Sequence, residues 1–106
     1  MEKFKFNKKT DQLFEAIISL KSVKEAEAFF RDLCTIDEIT EMSERWQIAR
    51  LVNQGLPYRE IAAKLAVSTT TVARVASWLY NGAGGYRQVL NKQNSHHNSS
   101  SVREKS

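Results

Sequence analysis

The chain reads as an all-α fold built around a helix-turn-helix, and three observations carry that reading. Apolar residues recur three and four apart along successive stretches, the periodicity of helices that bury one face. Two capping-box patterns, Ser22 with Glu25 and Thr35 with Glu38, stand at the head of apolar runs, where each side chain can satisfy a free backbone N–H. The segment from Pro57 to Tyr80, PYREIAAKLAVSTTTVARVASWLY, has the residues of two short helices joined by a tight turn. The one strand-like alternation, Phe4 and Phe6 among the lysines of residues 1–9, would leave a lone strand with no partner for its backbone groups.

Residues 1–9 are therefore expected to be an arm that packs two aromatic rings onto a neighbouring subunit, with its lysines also available to DNA. A first helix is predicted from about Thr10 to Leu20, with Leu13, Phe14, Ile17 and Ile18 on one face. The second opens at Ser22 and turns Val23, Ala26, Phe29, Phe30 and Leu33 inward. A longer third helix opens at Thr35, carries Ile39, Met42, Trp46, Ala49 and Val52, and ends at Gly55, a good left-handed stop ahead of Pro57. Its acidic first half (Asp37, Glu38, Glu41, Glu44) suits the positive end of the helix dipole.

The helix-turn-helix spans 58–77. Its first helix needs apolar residues at Ile61 and Leu65 and a small one, Ala62, where the helices cross. Ala66 takes the bend, and Val67 plugs the core behind it. Ser68 can cap the second helix. There Val72, Val75 and Leu79 face inward, while Thr70, Arg74 and Ser77 lie on the far side. That short, polar, basic face is the kind a recognition helix offers to the major groove. The residues expected to meet DNA are Ser68, Thr69, Thr70, Ala73, Arg74 and Ser77 at the bases, with Arg59 and Lys64 anchoring phosphates. Beyond the pair, NGAGG (81–85) breaks the chain, and YRQVLNK forms a short last helix through Tyr86, Val89 and Leu90. The folded domain is thus placed at 10–92. Residues 93–106, rich in Ser and Asn without apolar periodicity, read as a disordered tail. His96 and His97 have no cysteine or carboxylate cluster beside them, so no metal site is expected.

At 106 residues this is one domain, and 42% hydrophobic content supports a small core. The single cysteine, Cys34, excludes an internal disulfide, suits a reducing cytoplasm, and reads as a buried small residue between Leu33 and Thr35. No apolar run approaches membrane-spanning length, and no signal-peptide core follows the first lysines. A soluble, cytoplasmic protein is expected. Net charge is +4. Residues 56–92 carry Arg59, Lys64, Arg74, Arg87 and Lys92 against only Glu60, whereas 10–55 are acidic on balance. One face set against phosphates would produce that asymmetry. The apolar faces of the first three helices, with Trp46 and Trp78, exceed what one small bundle covers. Association as a homodimer would bury the excess. It would also pair two recognition helices about 34 Å apart, one DNA turn, on a two-fold-symmetric site.

The run CTIDEITEMSERWQIARLVNQG followed by YREIAAKLAVSTTTVARV resembles the Trp repressor superfamily, and more narrowly its Trp-repressor-related branch of Gram-positive bacteria. The resemblance covers residues 10–92 and is most specific at 34–55 and 58–75. It implies an intertwined, all-helical homodimer that binds palindromic operators as a transcriptional repressor. It also implies an effector pocket, in which Arg45 and Arg74 match the two arginines that hold the indole of tryptophan, and Thr35 matches a ligand-contacting threonine. The match requires one residue fewer here between Gly55 and Arg59. Two departures stand out: Val75 takes the place of a glycine, and Trp78 that of a serine. Both add bulk where the ligand would sit, so tryptophan is not the expected effector. Trp78, one turn beyond Arg74, is expected to stack on that guanidinium and partly fill the space.

Arg74 keeps three readings: a DNA contact, which the helix geometry favours, a pocket wall, or a solvated charge. Arg45 reads as the partner of Glu41, four residues earlier. Two rival functions remain. One is a helical protein-interaction module that uses the helix pair only to dimerise. The other is an enzyme, which would need a nucleophile–base pair or a carboxylate metal cluster. The acids here sit at capping or solvated positions, so no catalysis and no cofactor are expected.

Overall fold

The computed structural model describes residues 4–94, all helical apart from short connections. Residues 1–3 of the expected arm, and the expected tail from 95 onward with His96 and His97, lie outside the described residues. Five helices run in order: α1 (Lys8–Ile18), α2 (Val23–Leu33), α3 (Ile36–Asn53), α4 (Tyr58–Leu65) and α5 (Thr69–Asn81). A sixth, α6, occupies residues 85–94. The chain divides into two compact units at Thr40/Glu41.

In the N-terminal unit the helix starts follow from local chemistry. Asn7 caps α1, accepting from the Thr10 N–H at 3.0 Å, while the Thr10 hydroxyl accepts from the Asn7 N–H at 2.8 Å. Thr10 is therefore the third helical residue rather than the first, and Lys8 and Lys9 belong to α1 instead of the arm. Ser22 caps α2 as expected, accepting from Glu25 N–H at 3.1 Å. The Glu25 carboxylate reaches past it and accepts from Lys21 N–H at 3.0 Å, so the reciprocal half of the box is displaced by one residue. Thr35 and Glu38 close the full box on α3, at 3.1 and 2.8 Å.

Both α1 and α2 are amphipathic, yet neither contains a buried residue. Ala16, Ile17, Ala26, Phe29 and Phe30 are half-buried, while Ile18 and Val23 are 80% and 74% exposed. Cys34, expected to be buried, is the half-buried C-cap of α2, its N–H donating to Phe30 O.

The C-terminal unit holds the core. Ile48, Ala49 and Val52 of α3, Ile61 and Ala62 of α4, Val72, Val75, Ala76 and Leu79 of α5, and Leu90 of α6 form one buried cluster. Trp46, Leu51, Leu56, Leu65, Val67 and Tyr86 pack around it. Helix α3 ends as predicted at Gly55, with φ +90°. Gly55 N–H donates to Val52 O at 3.0 Å and Leu56 N–H to Leu51 O at 3.3 Å, the pair of bonds that closes a Schellman end. Between α5 and α6, Gly82 is required by space: a Cβ there would meet the Trp78 carbonyl oxygen well inside contact distance. Helix α6 extends through 94, two residues beyond the domain end expected at Lys92. No helix among the described residues is long and apolar enough to cross a membrane.

Candidate nucleic-acid interface

The turn between α4 and α5 is built almost wholly from backbone. Ala66 takes the left-handed conformation, φ 57° and ψ 45°, and its N–H donates to Ala62 O. Val67 N–H donates to the same carbonyl at 3.0 Å. The chain thus reverses in three residues and delivers Ser68 to the head of α5. The Ser68 Oγ accepts from Thr71 N–H at 3.0 Å and lies 2.9 Å from Thr71 Oγ1. Ser68 is therefore committed to the cap.

Along α5 the division of labour is sharp. Val72, Val75, Ala76 and Leu79 are buried. Thr69, Thr70, Ala73, Arg74 and Ser77 are exposed, as are Arg59 and Lys64 on α4. All are short side chains or cations, so the first turn of α5 offers its unpaired N–H groups unobstructed. Among the described residues after Leu56 the only acid is Glu60, against Arg59, Lys64, Arg74, Arg87 and Lys92, so α4, α5 and α6 together carry net positive charge.

The residues that the resemblance assigned to an effector pocket come only partly together. Arg45, Arg74, Val75 and Trp78 line one groove of about 290 Å3, with Glu41, Glu44 and Thr71. Thr35 belongs to the N-terminal unit, and both its hydroxyl and its N–H are engaged with Glu38. The side chain of Val75 is 1% exposed and part of the core. Trp78 does not stack on Arg74: among the described residues the arginine over a ring is Arg87, 5.7 Å from the Tyr80 centroid. Nor does an ion pair join Arg45 to Glu41 among the described residues. Trp78 instead faces a second, apolar groove of about 610 Å3, shared with Trp46, Tyr86 and Val89.

Sequence reasoning missed several of these parts. Ile48 is fully buried, one residue off the stripe traced along α3, although its spacing of four to Val52 signals it. Thr71 was not singled out, though Ser68 caps through it. Tyr86 stacks on Trp46, with centroids 6.1 Å apart and planes at 24°, a pairing across 40 positions that no local pattern announces.

An all-helical chain with an exposed polar face on the second helix of a tight pair is a helix-turn-helix protein. More specifically, the chain belongs to the Trp repressor family, a family of regulators rather than enzymes, whose model matches residues 8–94. It is 40% identical over 85 residues to the uncharacterized protein YerC of Bacillus subtilis (strain 168), covering 80% of this chain and 82% of that one. It is similar in structure to a TrpR-like protein from Eubacterium eligens ATCC 27750, with a TM-score of 0.79 at 40% identity, over 83% of this chain and 91% of that one. A proposed Trp repressor from Staphylococcus aureus superposes with a TM-score of 0.79 at 37% identity, over 84% and 89% of the two chains.

Proposed function

We propose that this protein is a cytoplasmic, sequence-specific DNA-binding regulator that represses transcription as a homodimer on a palindromic operator. The observation that carries the reading is the two-sided character of α5. Its apolar side is locked into the core, and Thr69, Thr70, Ala73, Arg74 and Ser77 are left to solvent on the other. Thr70, Arg74 and Ser77 would read base edges in the major groove, with Thr69 and Ala73 allowing close approach. Arg59 and Lys64 would hold phosphates and fix the pose. Ser68 contributes by capping the helix that enters the groove.

The dimer is supported by the N-terminal unit. Two amphipathic helices with no buried residue are an incomplete core, and a second copy supplies the missing surface by symmetry. In this reading residues 8–94 are the dimerisation and DNA-binding domain, and the residues ahead of α1 are an arm. Tryptophan is not the effector, because a buried Val75 stands where the pocket needs room.

Selecting bound duplexes from a random DNA pool tests the proposal. The expected product is a two-fold-symmetric site bound with a steep dependence on salt. Recovery of no enriched sequence, with no salt-sensitive binding, would leave a helical interaction module in place of a regulator.

A further inference from the structure

Arg87 and Tyr80 form a pair that serves neither the core nor the two grooves. Arg87, on α6, lies over the ring of Tyr80 near the end of α5, its Cζ 5.7 Å from the centroid. Both are exposed, Tyr80 by 58%. Neither lines the apolar groove or the one that holds Arg45 and Arg74. Among the described residues no carboxylate pairs with Arg87. Held by a ring rather than by an acid, the guanidinium keeps its charge unneutralised and its N–H donors available, the fork that fits a phosphate.

Helical rotation sets the pair on the side of α5 that faces away from the apolar groove. At about 100° per residue, Tyr80 comes round to within about 20° of Ala73 and about 60° of Ser77, and stands about 160° from Trp78. Helix α6 agrees. Taking the buried Leu90 as reference, Arg87 lies about 60° to one side. The groove residues Tyr86 and Val89 lie about 40° and about 100° to the other. Covering the aromatic groove therefore does not cover Tyr80 and Arg87, which stand on the flank that carries Ala73 and Ser77.

Distance along the helix then selects phosphate over base. Tyr80 follows Thr70 by ten residues, about 15 Å along the axis at about 1.5 Å per residue. The major groove is about 12 Å wide. A helix that enters it N-terminus first brings Thr70 to the bases and the Tyr80 end to the rim, where the backbone runs.

We propose that Arg87 is a further DNA-phosphate contact, held at the exit of the recognition helix by the ring of Tyr80. The inference rests on the proposed DNA binding and adds to it a contact from α6, outside the helix-turn-helix. Tyr80 acts as a positioning residue: it fixes where the cation stands.

Salt-dependent affinity of the full chain for duplex DNA tests this, since a phosphate contact acts on any sequence. Arg87→Ala should weaken every duplex alike and lower the slope of log affinity against log salt by about 1 per subunit. Lys92→Ala takes the same charge from another face of α6 and should leave the slope at its wild-type value. Tyr80→Leu should lower affinity and slope in the direction of Arg87→Ala, and Tyr80→Phe, which restores a ring, should recover both. Once Tyr80 is leucine, Arg87→Ala should cost little more. Circular dichroism checks that each variant is folded.

An unchanged slope in Arg87→Ala, beside the lowered slope expected of Lys64→Ala, overturns this inference and leaves the DNA reading standing. So does an equal fall in Arg87→Ala and Lys92→Ala, which marks a diffuse effect of net charge. Full additivity of Tyr80→Leu and Arg87→Ala also overturns it, because the ring then does not hold the cation. A wild-type chain with no salt-sensitive binding overturns the DNA reading itself, and this inference with it.

Discussion

Ala66 is where the turn can be tested most directly, because a single methyl group sits in a conformation that disfavours it. At φ 57° and ψ 45°, an L-residue with a Cβ costs about 1–2 kcal/mol relative to right-handed helix. Ala66→Gly removes that cost. Against it stands the extra freedom that glycine gives the unfolded chain, about 0.4–1 kcal/mol. Nothing else of weight changes. The Ala66 side chain is exposed, and both bonds to Ala62 O come from backbone N–H groups that glycine keeps. The net stabilisation is about 0.5–1 kcal/mol, which raises Tm by about 2–8 °C for a domain of this size. Thermal unfolding followed at 222 nm measures it, at fixed protein concentration because an associating protein melts later when concentrated. Ala66→Val, β-branched at the same position, should move Tm the other way. An unchanged or lowered Tm for Ala66→Gly would show that the left-handed turn is not what positions α5.

Gly82→Ala should destabilise by about 1–3 kcal/mol through overpacking against the Trp78 carbonyl. Gly85→Ala, where an added Cβ meets nothing within 4 Å, should leave Tm the same or slightly higher, and equal losses at the two sites would refute the steric account. Lys64→Ala should weaken binding to every duplex alike and lower the salt slope by about 1 per subunit, whereas Thr70→Ala should alter which bases are preferred; measured affinities across a set of sites separate the two. Millimolar tryptophan should change neither Tm nor DNA affinity. A ligand at 100 times its Kd would add about 2.7 kcal/mol, which the same melting experiment resolves.

What the sequence made legible were features decided within a turn or two of chain. Ser22, Thr35, Gly55 and Ser68 each act where expected, since a cap needs only its own residue and a backbone group three or four positions away. The start of α1 was misjudged for a related reason. Thr10 looks like a cap, but Asn7 is a better one three residues earlier, and the two bond reciprocally. The apolar stripes of α1 and α2 were also plain, yet their excess shows only that something must cover them. That something is not in the same chain's local pattern. Contacts between distant segments were least legible. The Tyr86–Trp46 stack and the grouping of Glu41 and Glu44 with Arg45 and Arg74 depend on how α3, α5 and α6 pack, which spacing within one helix does not encode.

The position at which this chain departs from the pattern of the tryptophan-responsive repressor, Val75, is held in place by the fold. Val75 faces the core beside Val72, Ala76 and Leu79, so its bulk supports the same helix that presents Thr70 and Arg74. Replacing it with glycine would open the groove, but it would also put glycine inside α5, at about 1 kcal/mol, and remove buried methyl groups, at a further cost of about 1–3 kcal/mol. The loss would fall on the helix that the proposed DNA binding needs to be rigid. Trp78, 39% exposed, lines both grooves, including the one that holds Arg45 and Arg74. In the proposed reading, a ligand clamped between Arg45 and Arg74 is therefore not what controls α5.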